Sequence, residues 1–422
     1  FFSAMLWWVY TILVLHAAPT VGQHAGRIIS VPDLHGDLYY TLATLYETQL
    51  INAQGHWVGG QTTLIQTGDV VDRGHDTRFI LDFLDLLALE AAAAGGQIVR
   101  LLGNHELMNL GGDVRYVSME DFRSFEGAKA RQEAFSPQGH YGRRLRSFRV
   151  SVIMNDTVFV HAGMNPNWGS MGHQRLNDLA MGAIRAKKWY DPILGAEGPL
   201  WGRRQIYGAA KGECELVKAG LSAISGAELR EVRRMVVGHT IQNSVHFYCD
   251  GGIVATDVAI SRQCGGGRTT ALELTPEGPG KLGARVVAAQ GVATANLSIV
   301  NAMERSIRSM WLARYRGEKE YEASSAPAKV PVKQATEPKP WQAPLTPVQG
   351  QQGRILSGRT EDKGDGGDAI KAAGDVNAVV VSALNALGER VNQYTYLLII
   401  ACATFLALPL FYSRRLDLDR MR

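Results

Sequence analysis

Short apolar runs alternate with longer segments of helical periodicity near the start of the chain. The predicted strands lie at residues 28–31, 63–66 and 98–102, and the predicted helices lie at 38–50 and 79–94. The strand segments are short and rich in β-branched residues, whereas the helical segments place apolar residues three and four positions apart. Strands that alternate with helices in this way predict an α/β fold in which helices cover a sheet.

Polar clusters follow the predicted strands directly. Further strands are predicted at 151–154, 157–160, 235–237 and 253–256, the first two as a hairpin. The clusters are PDLHGD, TGDVVDRG, GNHE, HAG and GHT, and each begins where an apolar strand ends. Because sites in open α/β sheets form at the carboxyl ends of strands, we expect five segments to deliver polar side chains to one edge of the sheet.

The polar clusters contain a set of metal-ligating residue types without thiolates. The candidate residues are Asp33, His35, Asp69, Asp72, Arg73, Asn104, His105, Glu106, His161 and His239. Carboxylate, imidazole and amide ligands suit Mn, Fe or Zn ions. A carboxylate shared by two such ions would let them activate water and hold a phosphoryl group. One Gly-Asp pair after a strand is usually only a turn, but turns alone do not explain five clusters in this order.

As an ordered set, the five motifs resemble the signature of the phosphoprotein-phosphatase family of metallophosphoesterases over residues 27–257. The segments GNHELMNLGGD and GPLWGR are similar to the Shewanella-like branch of that family. Pro32 stands where the family usually has Gly, whereas Asp33 and His35 of the same motif are present. The resemblance implies a calcineurin-like metallophosphoesterase fold of the α/β class, with central mixed β-sheets flanked by helices.

The resemblance also implies which residues bind metal. Two divalent ions are expected, with Mn preferred and Fe or Zn as alternatives. The expected ligands are Asp33 and His35 for the first ion, Asp69 as the bridge, and Asn104, His161 and His239 for the second ion. The nucleophile that the family implies is a hydroxide that bridges the two ions and attacks phosphorus in line.

Further residues receive catalytic and substrate-binding roles from the same resemblance. His105 is expected to be the general acid, and Asp72 is expected to orient it. Arg73 is expected to bind phosphate, since a guanidinium matches phosphate oxygens. Asn104 is expected to contact the substrate as well as metal. Arg203, in the WGR segment, is either a second phosphate clamp or a surface arginine.

The predicted function is that of a metal-dependent phosphoprotein phosphatase that hydrolyses phosphomonoesters of a phosphoprotein or phosphopeptide. One alternative is a dinucleotide polyphosphate hydrolase of related fold. The other is an inactive, membrane-anchored binding protein, which is disfavoured because no expected ligand is missing. The 44 basic and 40 acidic residues give a net charge of only +4, which gives no reason to expect nucleic acid as a partner.

Both ends of the chain are hydrophobic. Residues 1–22 are typical of a signal peptide, with an uncleaved anchor or a buried helix as alternatives. The catalytic domain is predicted at 24–316, a disordered stalk at 317–375 and a juxtamembrane helix at 376–395. A transmembrane helix is predicted at 396–412, with a buried core helix as the alternative. Residues 413–422 are predicted to form a basic cytoplasmic tail. The expected location is therefore membrane-anchored in the secretory pathway, with a lumenal or extracellular catalytic domain.

Three weaker signals leave alternatives open. Cys249 and Cys264 flank a predicted strand and either pair in an oxidising compartment or stay unpaired. Asn109 lies just past GNHE and either contacts phosphate or caps a turn. Arg143 and Arg144 belong to a basic segment that either lines the substrate groove or forms a solvated turn.

Overall fold

The computed structural model describes residues 26–288 and 297–325. The strands are β1 (Ile28–Val31), β2 (Thr63–Gln66), β3 (Gln97–Arg100), β4 (Ser151–Met154), β5 (Thr157–Val160), β6 (Arg234–Val237), β7 (His246–Tyr248), β8 (Ile253–Ala255), β9 (Ala271–Gly278) and β10 (Lys281–Val287). The helices are α1 (Leu38–Glu47), α2 (Thr77–Ala93), α3 (Asn104–Leu110), α4 (Met119–Ser124), α5 (Ala128–Phe135), α6 (His140–Leu145), α7 (Pro166–Gly169), α8 (His173–Arg185), α9 (Arg204–Ala209), α10 (Glu215–Glu228) and α11 (Leu297–Ser325).

The strands form two five-stranded sheets. The first sheet has the order β10-β9-β1-β2-β3, and the second has the order β4-β5-β6-β8-β7. In the first sheet β1 is parallel to β2 and antiparallel to β9. In the second sheet β5 is parallel to β6 and antiparallel to β4. Both sheets are therefore mixed, and the prediction of central mixed sheets flanked by helices is confirmed.

Successive side chains along the strands belong to two different hydrophobic clusters. Ile28 and Ile65 of the first sheet share a buried cluster with Phe159 and Val236 of the second sheet. Neighbouring residues such as Ile29 belong instead to a larger cluster that includes buried residues of the helices. Because successive side chains of a strand point to opposite faces, the two sheets pack against each other and the helices cover their outer faces.

The predicted elements are confirmed with small shifts at their ends. The strands predicted at 28–31, 63–66, 151–154 and 157–160 have the observed bounds. The helix predicted at 38–50 ends at Glu47, where the Thr48 side chain donates a hydrogen bond to the carbonyl oxygen of Thr44. The polar motifs were expected to lie at one edge of a single sheet. The motifs instead lie on two sheets, because hairpin β4–β5 begins a second sheet rather than extending the first.

The disulfide joins Cys214 to Cys249, so the suggested pair Cys249–Cys264 is wrong. Cys214 precedes α10, and Cys249 lies in the turn between β7 and β8. This turn packs on α10, since a Cβ built on Gly252 would lie 3.5 Å from the Leu221 side chain. The packing of the turn on the helix brings Cys249 to Cys214, and Cys264 is a free thiol.

Helix α11 continues to Ser325, beyond residue 316, where the catalytic domain was predicted to end. Among residues 26–288 and 297–325, no helix has the length and apolar character that a bilayer span requires. The predicted signal segment, juxtamembrane helix, transmembrane helix and tail lie outside the described residues, as does the predicted stalk from residue 326 onward.

Candidate active site

The polar motifs of both sheets converge on one cavity of about 630 Å³. The sequence-predicted residues in its lining are Asp33, His35, Asp69, Arg73, Asn104, His105, Arg203 and His239. Asp72 and His161 lie behind this lining, fully buried, and contact residues of the lining directly. The structure therefore brings every predicted site residue into a single site.

The two sheets meet at this cavity through a backbone contact. The backbone N–H of His239, which follows β6, donates to both carboxylate oxygens of Asp33, which follows β1, at 3.1 and 3.2 Å. Gly238 allows the approach, since a Cβ at that position would lie 2.3 Å from Asp33 Oδ1. A carboxylate from one sheet is thus fixed by the strand end of the other sheet.

Strained backbone conformations aim the side chains at the cavity. The φ angles of His35, Asp69, Asp72, Arg73 and His239 are 41°, 56°, 71°, 65° and 64°, all in the left-handed region. Each such residue costs roughly 1–3 kcal/mol, and such residues are concentrated at functional sites. The rest of the fold must therefore hold these turns in place.

Glu106 holds the turn that carries Asp69. Its Oε2 accepts the backbone N–H groups of Asp69 and Gly103, each at 2.8 Å. Its Oε1 accepts those of Val70 and Val71 at 2.8 and 3.2 Å. Burial and the nearby Asp69 carboxylate raise the pKa of Glu106 to about 7. Glu106, the last residue of the GNHE motif, was a candidate without a specific role, and the structure shows that it holds this turn.

Asp69 is common to two groups of possible metal ligands. One group contains His35, Asp69 and His105, and the other contains Asp69, His161 and His239. Within each group the ligand atoms lie within 4.8 Å of one another. Asp69 Oδ2 lies 3.7 Å from His35 Nε2 and 3.4 Å from His161 Nε2. A carboxylate with histidines on both sides has the arrangement needed to bridge two cations.

The surroundings of His161 test whether a cation fits. His161 Nδ1 lies 2.8 Å from the carbonyl oxygen of Thr67 and donates its proton there, so Nε2 of the neutral ring carries a lone pair. That Nε2 lies 2.9 Å from Asn104 Oδ1, 3.1 Å from His239 Nδ1 and 3.4 Å from Asp69 Oδ2. Lone pairs that converge in this way repel one another unless a proton or a metal ion lies between them. Burial lowers the pKa of His161, but the Asp69 carboxylate outweighs burial and raises it, so the site favours positive charge at this point. The nitrogen and oxygen atoms around that point are of the types that fit a divalent metal ion.

The charge balance of the site also fits metal binding. Burial, the Asp257 carboxylate and the Asp69 carboxylate raise the pKa of Asp33 well above its ordinary value. Burial and the neighbouring His105 lower the pKa of His35 to about 4, so its ring is neutral near pH 7. Buried carboxylates beside neutral imidazoles lack positive charge, which bound cations would supply. Asp257, whose pKa burial raises to about 6, also lines the cavity and had no predicted role.

His105 forms a buried pair with Asp72. His105 Nδ1 lies 2.8 Å from Asp72 Oδ2, and its Nε2 lies 3.9 Å from Asp69 Oδ2. Burial opposes the charged form of His105, but the Asp69 and Asp72 carboxylates outweigh burial and raise the pKa of His105. The hydrogen bond to Asp72 fixes the ring so that Nε2 is the nitrogen on the side of Asp69 and the cavity.

Two arginines complete the cavity wall. The guanidinium of Arg73 lies 4.6 Å from the centre of the Tyr116 ring. Arg203 Nη1 donates to the carbonyl oxygen of His239 at 2.8 Å and to Thr240 Oγ1 at 3.2 Å. Arg203 is therefore a half-buried part of the cavity wall rather than an open surface residue.

The weaker sequence signals have other positions. Asn109 Nδ2 donates to Asp72 Oδ1 at 2.8 Å, so Asn109 supports the His105–Asp72 pair and does not line the cavity. Arg143 and Arg144 line a separate groove together with Trp311 of α11. Both arginines therefore lie outside the lining of the metal-ligand cavity, and they belong to helix α6 rather than to a turn.

Fold, ligand set and cavity together define a metal-dependent phosphoesterase. Residues 26–241 match the family described as calcineurin-like phosphoesterase, and the chain belongs to this family. It is 31% identical to Shewanella-like protein phosphatase 2 of Arabidopsis thaliana, over 64% of this chain and 80% of that protein. It is 29% identical to Shewanella-like protein phosphatase 1 of Plasmodium berghei, over 56% of this chain and 67% of that protein.

A solved structure with the same fold is the cold-active protein-tyrosine phosphatase of a psychrophilic Shewanella species. The two proteins are 25% identical, with a TM-score of 0.52, and the match covers 62% of this chain and 80% of that chain. The resemblance to Shewanella-like protein phosphatases inferred from the motifs is thereby confirmed.

Proposed function

We propose that the protein is a phosphoprotein phosphatase that hydrolyses phosphomonoesters and depends on two divalent metal ions. The observation that carries the proposal is the position of Asp69 between two groups of histidines, with Arg73, Arg203 and the His105–Asp72 pair around the same cavity. The family and the phosphatases related to this chain support the class of reaction.

The chain offers ligands for two metal ions. Asp33 and His35 would hold one ion together with Asp69, and the second would be held by Asp69, Asn104, His161 and His239. Mn is the ion we propose, because nitrogen and oxygen ligands without thiolate suit it, with Fe and Zn as alternatives. Bound as a pair, such ions lower the pKa of a water molecule and neutralise charge on the phosphoryl oxygens.

The remaining chemistry belongs to side chains of the chain itself. Arg73 of the GDVVDRG motif and Arg203 of the WGR segment both line the cavity and would bind the phosphoryl oxygens of the substrate. His105 Nδ1 donates a hydrogen bond to Asp72; burial lowers the pKa of the ring, but the Asp69 and Asp72 carboxylates outweigh burial and raise it. The imidazolium form carries a second proton on Nε2, and that proton would pass to the leaving oxygen. The bond between phosphorus and that oxygen breaks as the proton arrives, and the product alcohol or phenol leaves neutral.

The apolar side of the cavity favours an aromatic substrate group. Tyr207 and Ile241 line the cavity, and their exposed fractions are 54% and 55%, although large apolar side chains are usually buried. A phenyl ring bound beside them would remove apolar surface from water. Together with the tyrosine phosphatase related to this chain, this supports phosphotyrosine in a peptide as the preferred substrate.

Release of phosphate by the full chain tests the proposed function. Phosphotyrosine peptide, phosphoserine peptide and a dinucleotide polyphosphate would be compared with Mn added and with metal removed by chelation. We expect activity on the peptides that requires metal, and its loss in Asp69→Asn. In His105→Ala we expect a decrease of about 10²–10⁴-fold. His246→Ala, a histidine outside the cavity, is the matched control. A folded, Mn-loaded chain that is inert on every phosphate ester would instead indicate a binding protein.

We also propose that the catalytic domain is lumenal or extracellular and anchored to a membrane through residues 396–412. The disulfide between Cys214 and Cys249 supports an oxidising compartment. Protease protection in sealed membrane vesicles would test this topology. Digestion of the catalytic domain from the cytoplasmic side would contradict it.

A further inference from the structure

A network of buried polar groups lies behind His105. His105 contacts Asp72, whose Oδ1 accepts a hydrogen bond from Asn109 Nδ2 at 2.8 Å. Arg131 Nη1 donates to Asn109 Oδ1 at 2.5 Å, and Arg131 Nε donates to Asp121 Oδ2 at 2.8 Å. Arg131 Nη2 also lies 3.6 Å from Asp72 Oδ1. The network therefore connects the ring of His105 to an arginine on α5, a helix that carries none of the five motifs.

Arg131 is an unusual residue to find in a protein core. It is 1% exposed, and its guanidinium lies 4.5 Å from the centre of the Phe135 ring and 5.5 Å from that of Phe125. A buried charge is costly unless it is paired, and Arg131 lies between two fully buried carboxylates, those of Asp72 and Asp121. Arg131 therefore compensates the charge of Asp72 as well as that of Asp121.

Arg131 also fixes the orientation of the Asn109 amide. Because a guanidinium only donates hydrogen bonds, Asn109 must present its oxygen to Arg131. The amide nitrogen then faces Asp72 and the backbone oxygen of His105, each at 2.8 Å. Without Arg131, Asn109 Oδ1 would lose this donor, and the two hydrogen bonds from Nδ2 would remain to hold the amide in this network.

We propose that Arg131 is a positioning residue for proton transfer by His105. Its guanidinium lies beside the Asp72 carboxylate and donates to Asn109 Oδ1, and these two residues keep His105 Nε2 directed at the leaving oxygen. The inference rests on the proposed function, since it concerns the proton donor of that reaction. It predicts a specific defect, because substrates differ in how much they need a proton. A phenolate or alkoxide needs protonation as it leaves, whereas a nitrophenolate leaves readily without it.

The experiment measures kcat and KM of the full chain on a series of aryl phosphates with Mn present. The series runs from 2,4-dinitrophenyl phosphate through 4-nitrophenyl phosphate to phenyl phosphate. The variants are Arg131→Met, Arg131→Lys and Asn109→Leu, which removes the amide and leaves both carboxylates in place. Arg100→Met is the matched control, because Arg100 is also paired with a carboxylate, that of Asp85, and stacked on an aromatic ring, that of Phe148, outside the site.

We expect Arg131→Met to lower kcat on phenyl phosphate by about 100-fold, and on 2,4-dinitrophenyl phosphate by less than about 5-fold, with little change in KM. Arg131→Lys should recover part of the loss, and Asn109→Leu should show the same dependence on the leaving group. Arg100→Met should leave that dependence unchanged.

A loss in Arg131→Met that is equal for all leaving groups would overturn the inference, because a purely structural role lowers every rate alike. If Arg131→Met does not fold, as judged by its melting curve, Asn109→Leu decides the question by the same criterion. If the wild-type chain hydrolyses none of the esters, the proposed function itself has failed. If the wild-type chain is active but the variants lose no more kcat on phenyl phosphate than on 2,4-dinitrophenyl phosphate, only the role of Arg131 is refuted.

Discussion

Glu106→Gln is the substitution that best tests how the fold holds the metal-ligand turn. The carboxylate of Glu106 accepts four backbone N–H groups, two on each oxygen, from Gly103 and from Asp69, Val70 and Val71. A glutamine has one oxygen, and its NH₂ group cannot accept hydrogen bonds. Whichever way the amide is oriented, two of the four N–H groups face another donor.

The size of the effect follows from this geometry. A hydrogen bond to a charged group contributes about 1.5–3 kcal/mol. At a pH above the Glu106 pKa of about 7, where the carboxyl is ionised, the loss of two such bonds therefore lowers the free energy of unfolding by about 3–6 kcal/mol. For a domain of this size the melting temperature should fall on the order of 10 °C. Since Asp69 lies in the same turn, we also expect Mn affinity to fall by about 10–100-fold, as for other residues that orient metal ligands.

The assay combines thermal melting without metal and calorimetric titration with Mn. Glu273→Gln is the matched control, because Glu273 is a buried glutamate that pairs with Arg27 and Arg285 on the first sheet and contacts no metal ligand in the part of the chain that the structure describes. Its melting temperature should fall, but its Mn affinity should not. A Glu106→Gln variant with unchanged melting temperature and Mn affinity would refute the reasoning, because the turn would then be held by other contacts.

Three further outcomes are expected. Cys249→Ser should lower the free energy of unfolding by about 3–4 kcal/mol, because the disulfide closes a loop with a sequence separation of 35; a urea midpoint that reductant does not shift would contradict this. Burial opposes ionisation of Glu228, but hydrogen bonds from His173 outweigh it and lower the pKa of Glu228. Its stabilising contribution is therefore present above the ordinary carboxyl pKa and is lost as pH falls through its own pKa, so Glu228→Gln should flatten the acid side of the melting profile. Tyr207→Ala should raise KM several-fold for phosphotyrosine peptide but not for phosphoserine peptide, and equal changes would exclude an aromatic subsite.

Much of the local structure and the set of site residues could be predicted from the sequence. The strand before each motif is a short apolar run. Such a run is too short for a buried helix and rich in β-branched residues, so it predicts a buried strand. The motifs after these strands then supplied Asp33, Asp69 and His161 as candidates. The structure places Asp33 and Asp69 together because the parallel strands β1 and β2 end at the same edge of the first sheet, whereas His161 follows β5 of the second sheet.

Other residues of the site and its surroundings were not predicted from the sequence. Arg131 lies on a short helix with no motif, and its contacts to Asn109 and Asp72 join positions far apart in the sequence. Asp257 follows a predicted strand, but one acid after a strand is too common to receive a role. The partner of Cys249 was also missed, since it depends on how the β7–β8 turn packs on α10.

The sequence by itself determined the kind of chemistry, because side-chain types and their order along the chain need no tertiary contact to be read. The tertiary structure alone decided that the site is shared by two sheets. Asp69 Oδ2 comes within 3.4 Å of His161 Nε2, and His161 Nε2 within 3.1 Å of His239 Nδ1, only because the inner faces of the sheets pack on each other. Such distances are set by the packing of residues remote in sequence, and periodicity along one strand carries no information about them.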